Sequence, residues 1–163
     1  MRQVLIVYHS ATGGARAMAQ AAWDGAREAD GVRTRLLAAA EAGPDDVLAA
    51  DGYLFAAPEN LAALSGVMKD FFDRCYYPVL DRVAGRPYAA MICAGSDGAG
   101  AARQVARIAT GWRLRPIAAP LIVVTGAQTA EAILAPKVIP AGELARCREL
   151  GAAMATGVGL GVF

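Results

Sequence analysis

The sequence predicts an α/β fold: a three-layer, doubly wound sheet of five parallel strands in the order 2-1-3-4-5. Three observations carry this. Apolar or alternating strand-like runs recur at Val4–Tyr8, Val32–Leu37, Gly52–Ala57, Tyr88–Ala94 and Leu121–Thr125. Helix-forming stretches lie between them, and that alternation implies a parallel sheet covered on both faces. Two of the strands run straight into glycine- or hydroxyl-rich turns, Ser10-Ala11-Thr12-Gly13-Gly14 and Gly95-Ser96-Asp97-Gly98-Ala99-Gly100. Open parallel sheets bind ligands beyond such strand ends.

The elements follow in order. A strand over Gln3–Tyr8 leads through the first turn to a helix over 14–28, with Met18, Ala21, Ala22 and Gly25 on its inner face. Asp30-Gly31 turns the chain, and Val32–Leu37 alternates with Arg33 and Arg35, the pattern of an edge strand. Pro44-Asp45-Asp46 opens a short helix. Gly52–Ala57 is unbroken and apolar, so it reads as a central strand that Pro58 ends. Ser65 is the expected N-cap of a helix to about Leu80, with Val67, Met68, Phe71, Phe72 and Cys75 as its stripe. Tyr88–Ala94 is a second buried strand, followed by a helix over 101–112, a fifth strand and a closing helix over 140–156. Gly157-Val158-Gly159-Leu160-Gly161 has glycines spaced as in a dinucleotide fingerprint but no helix behind it, so 157–163 reads as a flexible tail. Residues 126–139 have no pattern that names a role.

At 163 residues and 56% hydrophobic, the chain is expected to form one domain, 1–163, with a large core. A net charge of +1 without any Lys/Arg run argues against nucleic acid as a partner. Cys75, Cys93 and Cys147 are far apart and there is one histidine, so no zinc constellation is expected and no metal residue is nominated. Buried, reduced thiols, no room for a signal peptide before the first strand and no run long enough for a membrane span point to the cytoplasm.

The turns after strands one, three and four flank the point where strand order reverses. Ser10 and Thr12 offer hydroxyls, and Gly13, Gly14 and Ala15 offer amides at a helix N-terminus, a donor set suited to one dianionic phosphate. The bland reading of the same residues is a simple helix cap. The turn lacks the Gly-Lys-Ser/Thr ending of a triphosphate loop. His9 could add a cationic contact there, although filling the strand end is the favoured reading. Cys93 within its strand, and Tyr76, Tyr77 and Trp112 beyond, read as core or interface packing.

Three pieces, Ser10-Ala11-Thr12-Gly13-Gly14, Pro58-Glu59-Asn60 through Ser65–Arg74, and the Gly95–Gly100 turn, give the chain its resemblance to the flavodoxin-like flavoproteins. It looks closest to the FMN-dependent NAD(P)H oxidoreductases and quinone reductases of that fold. The resemblance implies an FMN cofactor, NAD(P)H as co-substrate, and a quinone or flavin as the small-molecule electron acceptor. It also implies roles. Ser10, Ala11, Thr12, Gly13, Gly14 and Ala15 would hold the FMN phosphate. Pro58, Glu59 and Asn60 would line the N5 edge of the isoalloxazine, mainly through their backbone. Gly95, Ser96, Asp97 and Gly98 would meet its pyrimidine side. Flavin chemistry demands no protein acid or base, so no catalytic residue is nominated. A homodimer covering the flavin suits the fold. Two positions depart from the family pattern: Ala15 stands where many members have Ser or Thr, and Asn60 where an aromatic is usual. A flavodoxin-type electron carrier and a flavin-free binding or regulatory protein are the alternatives.

Overall fold

The computed structural model describes residues 1–163. Its elements are β1 (Arg2–Tyr8), α1 (Gly14–Ala26), β2 (Val32–Ala38), α2 (Pro44–Ala49), β3 (Gly52–Asn60), β4 (Ala63–Leu64), α3 (Gly66–Val79), β5 (Pro87–Ala94), α4 (Ala99–Gly111), β6 (Arg115–Pro116), β7 (Leu121–Val124), α5 (Ala130–Leu134) and α6 (Ala141–Leu160). The sheet runs β2-β1-β3-β5 and ends on β6 and β7, which both pair with β5. Every pairing is parallel except the β3–β4 hairpin. This is the expected flavodoxin-like order 2-1-3-4-5.

The fifth strand position is split. β6 pairs with Pro87 and Tyr88, β7 pairs with Met91–Ala94, and residues 117–120 loop out between them. Pro116 and Pro120 bracket that loop, and neither can donate to a ladder.

Alternation along the strands builds two cores. Leu5, Val7, Tyr53, Phe55, Ala57, Ala90 and Ile92 face α2, α3 and α4. Val4, Ile6, Leu54, Ala56, Met91 and Cys93 face α1 and α6. The aromatic mass lies in the first layer. Phe55 packs on Tyr53, Phe71, Phe72 and Tyr88, and Phe72 meets Trp112 edge-on at 5.6 Å. Complete burial of each such side chain stabilises by about 1.5–3 kcal/mol. The second layer is thinner. Helices α1 and α6 meet through glycine: a methyl group at Gly25 would fall on the Arg148 carbonyl, and one at Gly151 on the Ala22 carbonyl.

Three local expectations are corrected. Pro58 does not end its strand, because β3 continues to Asn60 and Pro58 pairs with Cys93 of β5. The last β1 partner on the other side is Tyr8, opposite Ala56, so the missing Pro58 N–H leaves no bond unmade there. The 157–163 segment is not a tail throughout. Helix α6 continues to Leu160, Val158 is buried, and Gly157 and Gly159 leave room for Phe163 and Val32. Val67, expected in the α3 stripe, is 39% exposed, while Met68, Phe71, Phe72 and Cys75 are buried.

Candidate functional site

The site gathers at the carboxyl ends of β1, β3, β5 and β7. Two helices begin there, each led by a glycine in nearly the same left-handed conformation. Gly13 has φ 96° and ψ −13°, and Gly98 has φ 85° and ψ −14°. Only glycine takes this geometry without strain, and each leads directly into the first turn of its helix.

At α4 the chain fills its own N-terminus. The Glu59 carboxylate accepts from Gly98 N–H at 2.9 Å and from Ala101 N–H at 3.0 Å. Asp97 accepts from Ala99 N–H at 3.3 Å. At α1 no carboxylate arrives. The first turn holds no acidic residue and no side chain caps it. Ser10 Oγ accepts only the Gly13 amide, at 3.0 Å. The amides of Gly14, Ala15 and Arg16 have no acceptor within the chain. Open amides at the positive end of a helix are an anion site.

Glu59 reaches α4 on a strained hairpin. β4 folds back on Glu59 and Asn60, and the turn places Leu61 (φ 52°) and Ala62 (φ 62°) consecutively in the left-handed region. Neither is the Asn or Gly such a turn prefers. The turn is held from outside. Gln104 Oε1 accepts from Leu64 N–H, and a methyl group at Gly100 would strike the Ala62 carbonyl. A rim fixed this way presents Leu61 fully to solvent.

The opposite wall comes from residues 125–137, all but Thr125 within the stretch whose sequence pattern names no role. Gly126 N–H donates to the Gly95 carbonyl at 2.9 Å, and Lys137 N–H donates to the Thr12 carbonyl at 2.8 Å. The Lys137 ammonium donates to the carbonyls of Ala132, Ile133 and Ala135 and lies 3.4 Å from Thr12 Oγ1. The contact joins residues 125 positions apart, so no local pattern announced it.

Between these walls lies a cleft of about 460 Å³, lined by Thr12, Pro58, Glu59, Asn60, Gly95 and Ser96 among the expected residues. Leu61, Ala62, Cys93, Thr125, Ile133 and Lys137 complete most of the lining. Ser10, Ala11 and Gly13 line an adjoining cavity of about 300 Å³, with His9 and Arg16. Gly14 and Ala15 are buried in the first turn of α1, so only their backbone can serve a ligand. A methyl group on Gly14 would sit 2.6 Å from Cys93 Sγ. Asp97 and Gly98 belong to the α4 cap, and Gly98 is buried against Ile122.

His9 Nδ1 and Ser65 Oγ hydrogen-bond at 2.9 Å. Burial lowers the His9 pKa, which favours the neutral ring over a cationic contact. The same bond takes the Ser65 hydroxyl away from capping α3. Burial pushes the Cys93 thiol up, against a smaller opposing pull from Lys137, so it stays protonated. No group of three or more His, Cys, Asp or Glu side chains gathers as a metal site. No helix is long and apolar enough to cross a membrane.

The arrangement fits FMN at both ends. The open α1 amides and the Thr12 hydroxyl are donors of the kind one phosphate takes, with the Lys137 charge beside them. The cleft walls are backbone-rich strand ends and small side chains that admit a flat ring. No aromatic side chain lines the cleft, so Leu61, Ala62 and Ile133 supply the apolar contact there.

A family model of NADPH-dependent FMN reductases matches residues 38–129, more than half of the chain. A flavodoxin of Aquifex aeolicus is 35% identical over 100 residues, 61% of this chain and 54% of that protein. An NAD(P)H dehydrogenase (quinone) of Acidithiobacillus ferrooxidans is 31% identical over 94 residues, 45% of this chain and 47% of the relative. The chain thus spans about half the length of these curated relatives. Among solved structures, an archaeal flavodoxin superposes with TM-score 0.77 at 18% identity, covering 96% of this chain and 99% of that one. A WrbA-like flavodoxin from Agrobacterium tumefaciens gives 0.69 at 19% identity, over 98% and 99%. At those identities the structures speak for the fold alone. With a flavodoxin-like sheet and a family match that spans both the hairpin and the Gly95 turn, the chain belongs to the NADPH-dependent FMN reductase family, whose cofactor is FMN.

Proposed function

We propose that this protein binds FMN in the cleft and passes electrons from NAD(P)H through it to a quinone or flavin acceptor. The observation that carries the reading is the α1 N-terminus, whose amides have no internal acceptor while the matching α4 terminus is filled by Glu59 and Asp97. Bound FMN supplies the hydride- and electron-transfer chemistry. The residues of the chain position and shield. Ser10, Ala11, Thr12, Gly13, Gly14 and Ala15 hold the phosphate end through amides and the Thr12 hydroxyl. Pro58, Glu59 and Asn60 set the wall along one edge of the ring. Gly95 and Ser96 face it from the turn after β5, with Asp97 and Gly98 fixing that turn behind them.

A second reading, a flavodoxin-type carrier, draws support from the Aquifex relative. The net charge of +1 favours the reductase, because small electron carriers commonly steer by a charge excess. One experiment separates them. Apo-protein titrated with FMN should quench flavin fluorescence and turn yellow, and the loaded protein should consume NADH or NADPH with menadione. Flavin uptake without NAD(P)H consumption would leave the carrier, and no flavin uptake would end both readings.

A further inference from the structure

We propose that Lys137 is a phosphate-selecting residue, the charged partner by which this chain tells FMN from riboflavin. The proposal rests on the FMN reading above and adds to it a residue outside the 38–129 family match.

Lys137 lies on the loop after α5, yet its backbone and its ammonium both meet Thr12 of the α1 turn. Its three donors go to the Ala132, Ile133 and Ala135 carbonyls at 2.6–2.8 Å. Those carbonyls fix the ammonium in place but are neutral, and no carboxylate pairs with it. A full positive charge is therefore held beside the positive end of a helix dipole. The C-terminal carbonyls of α5 offset that placement, and a dianion between the ammonium and the α1 amides would be drawn to both. A phosphate beside Thr12 would take one ammonium donor from its carbonyl, forming a charge-assisted hydrogen bond where Ala15 offers no hydroxyl.

The basic residue of the first α1 turn, Arg16, does not share this geometry. It is exposed and lines the smaller adjoining cavity with Ser10, Ala11 and Gly13, whereas Lys137 lines the cleft with Thr12.

The test is flavin affinity by fluorescence titration of apo-protein, with FMN and riboflavin as paired probes. Lys137→Met should weaken FMN roughly 10- to 100-fold, the range of one charge-assisted contact, while riboflavin changes about twofold or less. Lys137→Arg should restore most of the FMN affinity. Equal losses of both flavins in Lys137→Met would make the residue a structural clasp of the 126–139 segment and overturn the proposal. Unchanged FMN affinity would overturn it as well. Wild-type protein that binds neither flavin would instead refute the FMN reading itself.

Discussion

The N-termini of α1 and α4 are built on one plan and finished differently. Both follow a buried strand, and both are led by a left-handed glycine with nearly identical angles. The α4 end receives two carboxylates from its own chain. The α1 end receives an ammonium and carries Arg16 in its first turn, the opposite of what a helix dipole prefers. We read the second terminus, without an acid and flanked by cations, as the one that takes an external anion. Glycine-led turns after strands therefore do not all mark phosphate sites. On the proposed reading, the charge arriving from distant residues decides which does.

The most forceful way to break the comparison is to give α1 the finish of α4. Thr12→Glu would bring a carboxylate to the open amides and beside Lys137. The fold should survive, because the new charge meets positive partners, while FMN affinity should fall by about 100-fold or more. Circular dichroism and flavin titration check the two halves, and a variant that still takes up FMN normally would show that the phosphate lies elsewhere.

The two lead glycines sharpen it. A methyl group at Gly13 meets nothing within 4 Å, whereas one at Gly98 sits 2.5 Å from Ile122 Cγ2 and 3.3 Å from Ala94 Cβ. Gly98→Ala should cost about 3 kcal/mol, strain plus overpacking, and Gly13→Ala about 1–2 kcal/mol from strain alone. Urea unfolding midpoints of the apo-proteins measure both, and equal losses would mean that the surroundings of the two turns do not matter.

The smallest expected effect concerns His9, beside the α1 turn. Its pKa is lowered from 6.5 by burial, so the folded state prefers the neutral ring. The unfolded chain binds the proton first, and stability is complete above 6.5 and declines as pH falls below it. His9→Asn should keep a partner for Ser65 and remove this contribution. The drop in Tm between about pH 7.5 and about pH 5.5 should then be narrower than in the wild type.

Much of this was legible in the sequence because it is local. Strand alternation, the Asp-Gly turn and the glycine turns declare themselves within a few residues, and they placed the strands and the three turns around the cleft. What distinguishes the two helix ends was not legible. Glu59 caps amides about 40 positions away, and Lys137 touches Thr12 across 125. Neither leaves a periodicity or a motif. Pro58 misled because proline forbids a ladder bond only on a side where a neighbouring strand exists. The glycines of 157–161 misled because close packing on Val32 and Phe163, rather than flexibility, is what they serve.

The central claim is that the open amides of α1, and not those of α4, receive the phosphate. Backbone amide NMR of the FMN and riboflavin complexes, compared with each other, isolates the phosphate from the ring that the two ligands share. The amides of residues 12–16 should differ between the complexes, shifted downfield by FMN, while those of Gly98–Ala101 stay matched. A difference centred on Gly98–Ala101, or none at either helix, would contradict the account.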